Sequence, residues 1–167
     1  MFLRSVGVII LVSVVGLVAA LLVYWFLFAP VVVEGTVIHK AVTGVRGSVS
    51  YTILVNRPAA DGSWIIVKDR DYRGLFGRVG NVVVDDYLES MLKGKYSEVR
   101  YIVSIRVEGG DPVNGVREGE ALAYQVSREF FNMVGIGDRV RFPVSRFEAA
   151  TALDPVEVIH PANLSSP

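Results

Sequence analysis

The chain has 167 residues, no cysteine, and 17 Lys and Arg against 17 Asp and Glu, with a mean hydropathy of +0.43. The absence of cysteine excludes disulfides, thiolate metal sites and cysteine nucleophiles. A net charge of zero, with no RNP-like or zinc-finger pattern, argues against nucleic acid as a partner.

Residues 1–4, MFLR, form a short head. Residues 5–29, SVGVIILVSVVGLVAALLVYWFLFA, carry no charge and are nearly all apolar. At about 1.5 Å per residue, a helix of this length spans roughly 37 Å, against a hydrocarbon core of about 30 Å. The run therefore predicts one transmembrane helix, with the lipid bilayer as the first partner. A cleaved secretory signal has an apolar stretch of only about 7–15 residues, ended by small residues, whereas here Phe28 precedes Ala29. Tyr24, Trp25 and Phe28 stand at the far end, where rings with a polar edge favour the headgroup level. Pro30 cannot continue the helical ladder and ends the span. Ser13, Gly16 and Ala20 fall on one helical face and would admit a helix–helix contact. Arg4 beside the span predicts a cytoplasmic N-terminus and an extracytoplasmic C-terminal domain. The sequon at Asn163-Leu164-Ser165 agrees with that side.

Residues 31–160 are long enough for one domain with a real core. Valine is about a fifth of the chain, which favours strands. Strands are predicted at Val31–Val42, directly after the span, and at Ser48–Asn56, which alternates clearly. A turn-rich loop at Asn56–Ser63 leads to a short strand at Trp64–Val67 and a helical turn within Asp69–Phe76. Gly80–Asp85 reads as a strand. Asp86–Lys93 reads as a short helix with acids first and lysine last, as the helix dipole favours. Val99–Glu108 is the best alternating strand, followed by a Gly-rich acidic loop at Glu108–Glu120. Ala121–Val126, Arg139–Val144 and Val156–His160 are strands, and Ser127–Val134 is a short helix. Residues 161–167 are a polar tail.

An internal echo links Asp69–Val83 to Ser127–Val140. Each copy runs from a capping residue through Arg, an acid and an aromatic to two apolar residues. A glycine-bounded turn and a valine-rich stretch follow. Asp69 and Ser127 would cap helical turns, with Tyr72 and Leu75 in the first, and Phe130, Met133 and Val134 in the second, facing the core. Gly137 and Asp138 would make a tight structural turn feeding the strand at Arg139–Val144, with Phe130 and Met133 buried beneath the helix. Residues 126–142, VSREFFNMVGIGDRVRF, resemble the strand–helix–Gly-Asp turn–strand element of cradle-loop β-barrels, the group that includes swapped-hairpin and double-psi barrels. In the first copy Asn81 replaces the aspartate. The resemblance implies a mainly β, six- or seven-stranded barrel of pseudo-twofold symmetry with two short helices. It implies no activity, because such folds host many functions.

Chemistry is sparse. Membrane-tethered signal peptidases use an activated serine, usually in a Ser-Met-x-Pro setting, but Ser90-Met91 is followed by Leu92-Lys93. His39 and His160 end the first and last strands, which are often neighbours in closed barrels, so with Glu34 or Glu157 they are the candidates for a metal site. Asp85, Asp86 and Glu89 are explained by a helix start. No calcium-loop spacing, phosphate loop or other cofactor motif is present. The KDRDYR run at 68–73 reads as a solvated face or a docking surface. The expectation is a non-enzymatic, single-pass membrane protein whose β-domain binds or assembles at the cell envelope, as an accessory subunit with a protein partner in or near the membrane. The alternatives are a tethered hydrolase and a pilin-like subunit whose head is removed after Arg4 or Ser5.

Overall fold

A computed structural model describes residues 13–24, 30–60, 62–109, 116–144, 151–153 and 155–161. Residues 13–24 are helical (α1). Then come β1 (Val31–Arg46), β2 (Val49–Ala59), β3 (Gly62–Val67), a 3-10 turn (Arg70–Leu75), α2 (Asp86–Lys95), β4 (Glu98–Gly109), β5 (Ala121–Val126), α3 (Arg128–Met133), β6 (Arg139–Val144) and β7 (Glu157–His160).

β1 organises the sheet because no single neighbour on one side covers its 16 residues. Its first half pairs with β6, from Val31–Val144 to Thr36–Arg139. Its second half pairs with β2, from Lys40–Asn56 to Arg46–Val49. β4 runs along the other edge for most of the length. The order is β3-β2-β1-β4-β5, with β6 and β7 attached to the first half of β1, and every strand pair is antiparallel.

Alternation places Val31, Val33, Gly35 and Val37 inside. The ladder to β4 then slips between Val37 and His39. One extra residue reverses which face is buried, so Lys40, Val42 and Gly44 are inside beyond the slip. The core around them gathers Ile53, Leu54, Val82, Leu92, Val103, Ile105, Phe131, Val140 and Phe142. At Gly35 the chain needs the missing side chain, since a Cβ would run into the backbone carbonyl oxygen of Arg106.

Several expectations need correction. Among the described residues seven strands are present, but the sheet is not a closed barrel. Among the described residues β5 and β6 share no ladder; Thr151 and Ala152, outside any strand, make isolated bridges to Gln125 of β5 and to Val144 of β6. The segment Gly80–Asp85 is not a strand, although Val79 bridges Trp64. Its backbone is satisfied by side chains instead. Val82 N–H donates to Asn56 Oδ1 (3.2 Å), and Asn132 both accepts from Val84 N–H and donates to Val84 C=O (2.8 Å each). The predicted loop at Asn56–Ser63 is shorter than expected, because β2 and β3 stay paired out to Ala59–Gly62. Met133 and Leu75 are exposed rather than buried. Phe130, Phe131 and Val134 take the inner side of α3, and this phase turns Met133 outward.

The predicted span at 5–29 lies partly outside the described residues, as do Trp25 and Phe28. Among the described residues no helix is long and apolar enough to cross a membrane. Within α1, Ser13, Gly16, Ala20 and Tyr24 are all exposed, as are Leu17, Leu21 and Leu22.

Candidate functional site

Gly137 and Asp138 form a tight turn. Gly137 has φ +92°, and Asp138 Oδ2 accepts from Gly135 N–H at 2.6 Å. The turn docks on the slip in β1, with Gly137 N–H donating to Val37 C=O and Val37 N–H to Asp138 C=O, both at 2.8 Å. It is therefore attached to the place where β1 changes face.

Directly behind that slip lies Lys40, with no solvent exposure. Its ammonium donates to Val134 C=O (2.7 Å), Asn81 Oδ1 (2.8 Å) and Val82 C=O (2.9 Å), and sits 4.4 Å from the centre of the Phe131 ring. Three acceptors match the three protons of an ammonium. Burial nevertheless pushes the pKa down to about 7, opposed by the Asp138 carboxylate. Asn81 also donates to Val134 C=O (3.2 Å). The corresponding positions of the two echoes, Asn81 and Asp138, thus meet around one lysine. Lys40 ties the halves together but is closed to any ligand.

The echo holds at other points. Asp69 accepts from Asp71 N–H and Ser127 from Phe130 N–H, each capping its turn. Tyr72 and Phe130 are both buried. The first copy winds as a 3-10 turn and the second as an α-helix.

The open site lies where the far end of β1 meets the 3-10 turn and the end of α2. A cleft of about 390 Å³ is lined by Arg46, Lys68, Asp69, Arg70, Asp71, Lys95 and Tyr96, among others. Asp69 anchors it, accepting from Tyr96 Oη at 2.6 Å and from Lys95 Nζ at 2.7 Å. Lys95 also reaches Asp71 at 2.6 Å. Burial and the Asp69 carboxylate push the Tyr96 hydroxyl up to about 12, so it stays protonated. The hydrogen bonds to Asp69 and Asp71 raise the Lys95 pKa, so Lys95 stays charged. Gly44 lies under Tyr96, and a Cβ there would fall 2.5 Å from the ring. Gly44→Ala is expected to displace that ring, break the Tyr96–Asp69 bond and cost about 1–3 kcal/mol, the usual range for overpacking. A thermal melt with unchanged midpoint would show that the ring is free to move.

The other candidates are kept apart. His39 faces Ser104 on β4, and His160 faces Arg139 on β6. β6 lies between β1 and β7, so the first and last strands are not neighbours. Burial and Arg57 lower the His39 pKa. The carboxylates considered beside these histidines face arginines: Glu34 binds Arg139 and Arg141, and Glu157 lies 3.7 Å from Arg141. No group of three or more His, Cys, Asp or Glu among the described residues is arranged to hold a metal. Ser90 is exposed on α2, and Lys93 is bonded to Glu89 (2.9 Å) rather than poised to activate it. Asn163 lies outside the described residues.

Sequence reasoning missed Lys40 and Tyr96. Alternation alone puts Lys40 outside, since nothing in the residues marks the slip. Tyr96 follows the predicted end of a helix, and only its bond to Asp69 reveals its place. Comparison with protein-family models, with curated proteins and with solved structures returns no significant match.

Proposed function

We propose that this chain is a membrane-anchored module that binds or assembles at the cell envelope, as an accessory subunit with its β-domain outside the cytoplasm. The observation that carries the reading is the charge-free run at 5–29, joined to β1 through Pro30 with no stalk. The described part of that run supports it. Leu17, Leu21, Leu22 and Val23 are each more than half exposed, which is costly in water and natural in lipid. Arg4 favours the cytoplasmic side for the head. The β-domain also leaves Val83, Tyr87 and Met133 exposed, flanking the Val84–Asn132 clasp, apolar surface of the kind that protein contacts bury.

The test is protease accessibility in spheroplasts carrying the full chain. The expected result is digestion of the β-domain from outside, leaving a short membrane-protected fragment. Protection in intact spheroplasts, with digestion only after lysis, overturns the topology.

A further inference from the structure

The cleft beside Tyr96 gathers more positive charge than it neutralises. Arg46, Lys68, Arg70 and Lys95 line it against Asp69 and Asp71. Both acids are engaged by Lys95, at 2.7 and 2.6 Å. Among the described residues no carboxylate pairs with Arg46, Lys68 or Arg70. Elsewhere Arg139 and Arg141 bond to Glu34, Arg128 to Asp86 and Glu89, and Arg100 to Glu98, while Arg57, Arg73, Arg78 and Arg106 have no carboxylate partner among the described residues; what distinguishes the cleft is that three such cations line one concavity. Three like charges on one small concave surface repel each other, and a bound anion would relieve that repulsion.

We propose that this cleft is a binding site for a phosphoryl group, with Arg46, Lys68 and Arg70 as its ligands. The two guanidinium groups supply forked donors that match phosphate oxygens, and Lys68 adds a mobile point charge. Asp69 holds Lys95 and Tyr96 in place and keeps the wall behind them fixed. Tyr51 is half exposed beside Tyr96, with ring centres 6.4 Å apart, and offers an apolar face to whatever carries the phosphate. The cleft has room for a phosphoryl group and part of its carrier. Arg46 ends β1, about 50 Å of extended strand beyond Val31. This distance along the chain favours a soluble phosphomonoester over the lipid headgroups next to the anchor. The inference deepens the binding reading but does not use its topology, so the protease experiment and the one below fail independently.

The experiment uses the full chain in phosphatidylcholine nanodiscs. Inorganic phosphate and glycerol 3-phosphate are titrated by calorimetry at low ionic strength. In a second arm the same nanodiscs are mixed with phosphatidylcholine vesicles, with and without phosphatidic acid. The expected result is saturable binding of one phosphomonoester per chain, weakened about tenfold by Arg46→Gln and by Arg70→Gln, the loss of one good charge-assisted contact. Arg106→Gln, exposed on β4 outside the cleft, leaves it unchanged. Binding only to phosphatidic acid vesicles, and lost with the same two variants, supports the site with a lipid as its source. Absence of saturable binding in both arms overturns the proposal. So does an Arg106→Gln loss equal to that of Arg46→Gln, which would mean a diffuse field and no site.

Discussion

Lys40→Met lowers the stability of the β-domain by about 1–3 kcal/mol, the usual cost of leaving buried polar groups without a donor. Methionine fills nearly the same volume, so the loss comes from polar groups. Val82 C=O and Val134 C=O lose their lysine donor, and Asn81 Oδ1 loses the ammonium that orients it. A total stability of about 5–15 kcal/mol leaves little reserve for such a loss. Denaturant unfolding of the full chain in detergent measures it, and a change below about 1 kcal/mol would show that these acceptors find other donors. The same lysine sets a pH dependence. Its folded pKa of about 7 lies below the ordinary 10.5, so between these values the unfolded chain holds the proton more tightly. Stability therefore rises with pH across that window, and Lys40→Met removes the rise. Identical pH profiles for the two proteins would place the lysine in water.

Phe130→Ala costs about 3–5 kcal/mol, the range for removing a buried phenyl ring. Its ring meets Phe142 edge-on at 5.2 Å, and Phe142 in turn meets Tyr124 at the same distance, so the cavity opens among three aromatic rings. Tyr72→Ala is expected to be severe as well. Tyr72 holds the equivalent place in the first echo, is buried, and donates its hydroxyl to Met91 C=O (3.3 Å). A severe Phe130→Ala with a nearly silent Tyr72→Ala would keep the α3 packing and end the duplication. Two silent variants would overturn the core assignment altogether.

The strands were legible where alternation is regular. β4 and β5 stand almost where the pattern puts them, because one face is apolar along their whole length. Residues 80–85 misled because Val82 and Val84 alternate like a strand, and both are indeed buried. Their hydrogen-bond partners are the side chains of Asn56 and Asn132, distant in sequence, and no local pattern announces that. Lys40 was illegible for a related reason: a slip of one residue in β1 reverses the faces and carries a lysine inward. The histidine pair failed as neighbours because β6 intervenes, a matter of topology. The KDRDYR run was read as a solvated face or a docking surface, and four of its residues, Lys68, Asp69, Arg70 and Asp71, line the cleft. What the run does not disclose is that Arg46 and Lys95 come to the same cleft from other elements.

The account rests on the anchor, and alkaline carbonate extraction tests it most directly. Membranes from cells making the full chain are washed at high pH and pelleted, beside membranes from cells making the chain from Val31 onward. The account predicts that the full chain stays in the pellet while the shortened chain is released. Release of both into the supernatant would contradict it.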